Sequence, residues 1–476
     1  MIQHAVHAFT YQGVNIVYDG LSKTLITVDQ IGLEVAKRYA EQELSDIIAE
    51  LGEYFAEQEV RDAHAEIDSL VADGVLFCDE ERFVFGRDTQ MPTLKLSGIC
   101  LHVAHDCNMR CSYCFAGSGL YGGRPTMMES HTARMALDYL FRHAGTSAHV
   151  YVDFFGGEPT LNMAVVEDAV AYGNQLAATT GRSVTWSMTT NGLALETDMI
   201  NFFNTHNVNV IVSMDGREQV HDAIRPNRQG QGTYHEVQKN AQRLFTSRAM
   251  GQTNRYGAGV YTYVRGTFSQ NNVDFAEDVV HLYRQGFRHI AMEPVVSEAN
   301  LPWTLAPDHV ESLKDQYDRV VELVLESRKQ GDPLLFHHFE LDLDGGSCLG
   351  KRASGCGAGV NYLAVSPEGE VYPCHQFVGN ASFKMGSVWT DALEPSLIRD
   401  FTEANQGGKD ACRTCFARYH CGGGCHANHW LLNHDLLDPD SLSCELIRKR
   451  LECALFLAVT EVATDQGVAV SSVGQD

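Results

Sequence analysis

Residues 107–115 read CNMRCSYCF, and their three cysteines, Cys107, Cys111 and Cys114, stand just past an apolar, strand-like run. Zinc and ordinary iron–sulfur sites usually close with four protein ligands. Three thiolates from one short loop therefore imply a cluster with one iron left open for a ligand that is not protein, such as the amino and carboxylate groups of a small molecule. Tyr113, just before the third cysteine, is placed to pack its ring beside that ligand. Zinc held by these three and a distant fourth residue is the competing reading.

A second thiol-rich pattern lies toward the C-terminus. Cys348 and Cys356 are followed by Gly369 and Cys374, then by Cys412, Cys415, Cys421 and Cys425, and after a gap by Cys444. A zinc ribbon would use four of these and leave the others idle. The CGGGC run ending at Cys425 gives the backbone freedom to wrap a cluster. Of the 14 cysteines only Cys78, Cys100 and Cys453 stand apart, as buried structural thiols do. Polar motifs accompany the thiols: Gly156-Gly157-Glu158-Pro159, Thr190-Asn191-Gly192, Ser213-Met214-Asp215-Gly216, and Arg225, whose guanidinium suits bidentate binding of a carboxylate. Asp215 and Glu293 are candidate bases. His375, His420, His426 and His429 are candidate ligands or proton carriers, or simple hydrogen-bond donors. No phosphate-binding loop, nucleophile elbow or HExxH motif competes.

The elements that must carry these motifs read as an α/β fold, a partial (β/α)6 barrel flanked by two smaller units. Residues 1–92 give small strands, three helical stretches and a two-strand wing, GVLFCDEERFVFG, which together predict a winged helix-turn-helix. With few Lys or Arg, that block suits a peptide better than DNA. Residues 93–305 alternate six strand candidates with amphipathic helices. The cysteine loop, GGEP, TNG and SMDG follow strands one to four of that barrel, at the carboxyl ends where such folds place their chemistry. Residues 306–346 read as a helical linker, 347–460 as a glycine-rich, cysteine-bearing domain, and 461–476 as a tail.

The 476 residues allow two to four domains. A formal charge of −25 argues against a nucleic-acid surface. The N-terminus, MIQHAVHAFTYQG, lacks the basic and apolar regions of a secretory signal, and no apolar run approaches a membrane span. Cysteines in such a chain are expected to be reduced, in the cytoplasm.

The C-x3-C-x-aromatic-C spacing resembles the signature of the radical S-adenosylmethionine (SAM) superfamily. The resemblance implies a SAM-binding [4Fe–4S] cluster on Cys107, Cys111 and Cys114, which cleaves SAM to a 5′-deoxyadenosyl radical that abstracts hydrogen from a substrate. It further implies SAM contacts from Tyr113, Gly156, Gly157, Glu158 (accepting from the ammonium), Asn191, Ser213 and Arg225. The C-terminal spacing resembles the SPASM domain with two auxiliary [4Fe–4S] clusters. By position, Cys356, Cys374 and Cys425 would hold the first, with Cys348 as fourth ligand, and Cys412, Cys415, Cys421 and Cys444 the second. Together the motifs resemble thioether-forming peptide maturases, either the type acting on the small subunit of quinohemoprotein amine dehydrogenase or the six-cysteine type. The expected partners are a peptide or small protein substrate with a leader region and an external donor such as flavodoxin or ferredoxin, with no nucleic acid and no membrane. An anaerobic sulfatase-maturing, formylglycine-forming enzyme and a non-enzymatic iron–sulfur carrier or redox sensor are the alternatives.

Overall fold

The computed structural model describes residues 5–78, 94–248, 261–298, 300–341, 343 and 355–465. The chain begins with an antiparallel sheet, β1 (Val6–Tyr11), β2 (Val14–Asp19) and β3 (Thr24–Thr27), in that order. Gln12 and Gly13 between β1 and β2 both have positive φ, as a two-residue hairpin turn requires. Three helices follow: α1 (Gln30–Arg38), capped by the Asp29 carboxylate on Gly32 N–H, α2 (Leu44–Leu51) and α3 (Glu57–Ala72). They share a small core built around Val35, Ile47 and Val60. Of the expected wing, Val75–Phe77 form a bend rather than a strand, and residues 79–86 lie outside the described residues.

This block does not stand alone. Phe9, Tyr11, Ile16 and Tyr18 belong to the main hydrophobic core. The Tyr11 ring packs 4.8 Å from Phe456, its hydroxyl donates to Asp318, and His7 hydrogen-bonds Glu452 at 2.9 Å. Deleting residues 1–90 would therefore open the main core.

The central sheet holds β4 (Gly98–His105), β5 (Thr126–Met127), β6 (His149–Gly156), β7 (Ser183–Thr190), β8 (Asn209–Ser213), β9 (Thr262–Phe268) and β10 (His289–Pro294). Apart from β5, an antiparallel addition to β4, these six strands pair in parallel and in chain order. The connections carry α4 (Ser130–His143), α5 (Met163–Thr180), α6 (Thr197–Thr205), α7 (Glu218–Ile224), α8 (Tyr234–Ser247) and α9 (Phe275–Arg284). Every residue of β4 is buried, as for a strand covered on both faces. After α10 (Val310–Lys329), β11 (Leu335–Phe336) adds in parallel to β10.

The cysteine-rich region continues this same sheet. β12 (Tyr362–Val365) pairs in parallel with β4, Leu363 opposite Ile99. β13 (Glu370–Tyr372), β14 (Gly386–Ser387) and β15 (Thr390–Leu393) then extend it antiparallel. Among the described residues the remaining α-helices are α11 (Pro395–Glu403), α12 (Arg418–Cys421), α13 (His426–Asn433) and α14 (Ser441–Asp465), the last packed on α10. Among the described residues no helix is long and apolar enough to cross a membrane.

Candidate functional site

The cysteine loop leaves β4 and is fastened to the end of α7 and the residues just after it. Arg110 N–H donates to Pro226 O at 2.8 Å and Ser112 N–H to Ile224 O at 2.9 Å. The Arg110 and Arg228 guanidinium groups both donate to Cys107 O, at 2.8 and 2.7 Å. Two N–H donors approach the Cys107 sulfur, Met109 N at 3.4 Å and Asn191 Nδ2 at 3.6 Å. Such donors orient a metal-bound sulfur and tune its potential. Burial pushes the Cys107 thiol to about 12 and also raises Cys111, so metal binding here must displace protons.

GGEP makes close backbone approach at the end of β6. Gly156 has φ 128°, and a Cβ there would fall 2.3 Å from Ala104 O. Glu158 is 1% exposed. It accepts from Thr160 N–H and Oγ1, Thr190 Oγ1 and Asn191 N–H, at 3.0, 2.7, 2.7 and 2.7 Å. Burial raises its carboxyl, and these bonds oppose the rise. Glu158 thus ties GGEP to TNG, and the Asn191 side chain it positions also donates to Asn108 Oδ1 at 2.7 Å.

Tyr113, Arg225 and Asp215 form a buried chain. Arg225 Nη1 donates to Tyr113 Oη at 2.6 Å, and Tyr113 Oη donates to Asp215 Oδ2 at 2.8 Å. Asp215, fully buried, also accepts from Thr267 N–H at 3.1 Å. Burial raises its carboxyl against the opposing pull of Arg225. Arg225 Nε is buried without a hydrogen-bond partner among the described residues and belongs to a side chain on a cavity wall, where an anionic ligand would satisfy it. As a base, Asp215 is pre-empted by Tyr113. Glu293 does reach the cavity, but although burial alone would raise its carboxyl, His338 and Arg450 hold it at about 2, which makes it a poor proton acceptor near neutrality.

One cavity of about 1550 Å³ runs through the barrel. Alternate residues of the strands face it, Thr185 and Thr189 on β7, Asn209 and Ser213 on β8, Arg265 and Thr267 on β9. Cys107, Cys111 and Cys114 border it at the strand ends, and Cys356, Cys374, Cys421, Cys425 and Cys444 border it as well. Cys374 lies within electrostatic reach of Cys425 and Cys356, while Cys444 lies within reach of Cys421, Cys412 and Cys415. Cys348 lies outside the described residues. His375 packs 4.7 Å from Phe155 on the cavity wall, and burial lowers it to about 4.

Sequence reasoning passed over Lys409, which is 0% exposed. Its ammonium donates to Gly423 O at 2.6 Å and stands 3.4 and 3.2 Å from His426 and His429 Nδ1. Burial lowers its pKa, and Cys412, Cys421, Cys425 and Cys444 pull it back up. A lone lysine in a GGKDAC context gives no hint of this; only the fold encloses it. Lys409→Met is expected to destabilise the protein by about 1–3 kcal/mol through the unpaired Gly423 carbonyl. Removing the positive charge also disfavours adding an electron nearby, so redox titration followed by electron paramagnetic resonance should give a lower auxiliary midpoint potential.

The chain matches the Radical SAM superfamily over residues 101–248 and the SPASM iron–sulfur cluster-binding domain over residues 356–416. A cysteine-type anaerobic sulfatase-maturating enzyme of Clostridium novyi is 23% identical over 350 residues, 70% of this chain and 88% of that protein. The solved structure of anSMEcpe with bound AdoMet superposes with a TM-score of 0.62 at 19% identity, covering 78% of this chain and 99% of that one. SuiB of Streptococcus suis bound to precursor peptide SuiA does so with a TM-score of 0.50 at 13% identity, covering 93% and 99%. The chain therefore carries a radical SAM and a SPASM domain, whose cofactors are SAM and [4Fe–4S] clusters. Three half-buried thiols around one cavity, with N–H donors at the Cys107 sulfur, fit the SAM-binding cluster.

Proposed function

We propose that this chain, a radical SAM and SPASM protein, installs Cys sulfur-to-carbon thioether cross-links in a ribosomally made peptide or small protein subunit. The small subunit of a quinohemoprotein amine dehydrogenase is the substrate favoured by the sequence resemblance, and a reducing cytoplasm with a flavodoxin or ferredoxin donor is the setting. The observation that carries this reading is that one cavity is bordered both by Cys107, Cys111 and Cys114 and by Cys356, Cys374, Cys421, Cys425 and Cys444. A substrate chain lying in it is within reach of both.

The bound cofactors supply a 5′-deoxyadenosyl radical for hydrogen abstraction and a sink for the electron released when sulfur bonds to carbon. The protein supplies position. Cys107, Cys111 and Cys114 hold the SAM cluster. Arg225 would bind the SAM carboxylate, with Tyr113 and Asp215 fixing its guanidinium. Asn191 and Ser213, on the cavity wall, would offer amide and hydroxyl groups to SAM, and Gly156 and Gly157 would let the backbone come close to it. Glu158 works from behind the wall by fixing Asn191. Cys356, Cys374 and Cys425 hold one auxiliary cluster, with Cys348 as fourth ligand, and Cys412, Cys415, Cys421 and Cys444 the other. The N-terminal block grips the leader.

Formylglycine formation is the second reading, favoured by the sulfatase-maturating relative over 88% of its length. Deuterium labelling tests the first. A substrate deuterated at the carbon to be linked should deliver deuterium into 5′-deoxyadenosine. Deuterium transferred only from the Cys β-carbon would instead support formylglycine chemistry.

A further inference from the structure

At the end of the cavity opposite the cysteine loop, four side chains converge. His289 opens β10, Tyr261 precedes β9, and His337 and Glu340 follow β11. Tyr261, His337 and Glu340 line the cavity, and His289 is buried behind them. Tyr261 Oη stands 2.8 Å from His289 Nε2, 3.3 Å from His337 Nδ1 and 3.3 Å from Glu340 Oε2. Glu340 Oε2 is 3.4 Å from His289 Nε2 and 3.5 Å from His337 Nδ1. A tetrahedral ion with bonds of about 2.0–2.1 Å spaces its ligands about 3.3–3.4 Å apart. Five of the six donor pairs, at 2.8–3.5 Å, bracket that spacing, and ligand atoms of His289, His337 and Glu340 all lie within 4.8 Å of one another.

We propose that Tyr261, His289, His337 and Glu340 form a binding site for one divalent transition-metal ion of the zinc type. Two imidazoles, a carboxylate and a phenol oxygen make a borderline N/O set suited to such an ion. The rings are held for it: the Tyr263 ring lies 5.3 Å from His337, nearly parallel, and 5.2 Å from His289. Four protein ligands make a closed, structural site. The ion pins the segment after β11 to the starts of β9 and β10, and so closes the floor of the cavity without entering the radical chemistry.

The test uses the cluster-loaded full chain, dialysed against Zn2+ and assayed for zinc and iron by mass spectrometry. The expected result is about one zinc per chain, lost in His337→Ala and Glu340→Gln while iron stays at the wild-type level. No bound zinc in the wild type, or equal zinc in the variants, overturns the proposal. X-ray absorption at the zinc edge of the wild type decides independently of how the variants fold. A shell of N/O atoms alone at about 2.0–2.1 Å supports the site, and sulfur at about 2.3 Å overturns it by placing the zinc on cysteines.

Discussion

Cys111→Ala abolishes SAM cleavage: no 5′-deoxyadenosine forms above background under anaerobic reduction, and bound iron falls by about one third, one four-iron cluster of three. The side chain is one of only three thiols in the loop, so its loss leaves two ligands where three are needed. The loop itself survives, because it is fastened by backbone bonds that the substitution spares, Arg110 N–H to Pro226 O, Ser112 N–H to Ile224 O and Cys114 N–H to Cys111 O. Melting of the cluster-free protein should therefore stay close to wild type while activity disappears. A Cys111→Ala enzyme with normal turnover contradicts the assignment of this loop.

Gly157→Ala is the second large effect, and it acts through the backbone. A Cβ at Gly157 would lie 2.2 Å from Asp106 O and 2.6 Å from Asp106 C, atoms that cannot swing aside as a flexible side chain does. Asp106 immediately precedes Cys107, and its carbonyl accepts Glu158 N–H at 2.8 Å. The added methyl must push the start of the cysteine loop away from GGEP. Overpacking of this kind costs about 1–3 kcal/mol. A shift on the order of 1 Å in reacting groups costs about 100-fold in rate, so SAM cleavage should fall by at least about tenfold. Gly181→Ala is the control: its φ is also positive, at 67°, but nothing lies within 4 Å of its Cβ. It should cost about 1–2 kcal/mol and leave cleavage per cluster unchanged.

The six parallel strands were legible as short apolar runs, the first four of them followed by a motif that no helix would carry, such as GGEP after HVYVDFF or TNG after VTWSMT. Their order needed only the rule that successive strand–helix units lie side by side. The cofactors were legible from the radical SAM and SPASM resemblance that the thiol spacings carry. The continuation of the barrel sheet into the SPASM region was not. β12 is four residues, YLAV, and its partner β4 lies about 260 residues earlier, so nothing local marks the pairing. The same holds for the anchoring of Tyr11 by Asp318 and Phe456, which turns a seemingly detachable module into part of the core.

Within the site, sequence named the residue types but not their tasks. Glu158 was expected to accept from the SAM ammonium, yet its oxygens take donors from Thr160, Thr190 and Asn191. Asp215 and Glu293 were offered as bases, yet Tyr113 and the His338–Arg450 pair engage them. Burial and partners decide these roles, and both depend on residues far apart in the chain. Lys409 and the Tyr261–His289–His337–Glu340 cluster had no motif to betray them, because each is assembled by the fold from otherwise unremarkable segments.

The central claim is that the cavity joins a cysteine sulfur to carbon within a peptide. The most direct test is the intact and fragment mass of a cysteine-containing substrate, the amine dehydrogenase small subunit first, after anaerobic reaction with the cluster-loaded enzyme, SAM and reductant. Thioether formation predicts the loss of two hydrogens per bond, with each linked cysteine refusing alkylation and the fragments locating its partner residue. A cysteine converted to formylglycine, or a substrate left unchanged while 5′-deoxyadenosine accumulates, contradicts it.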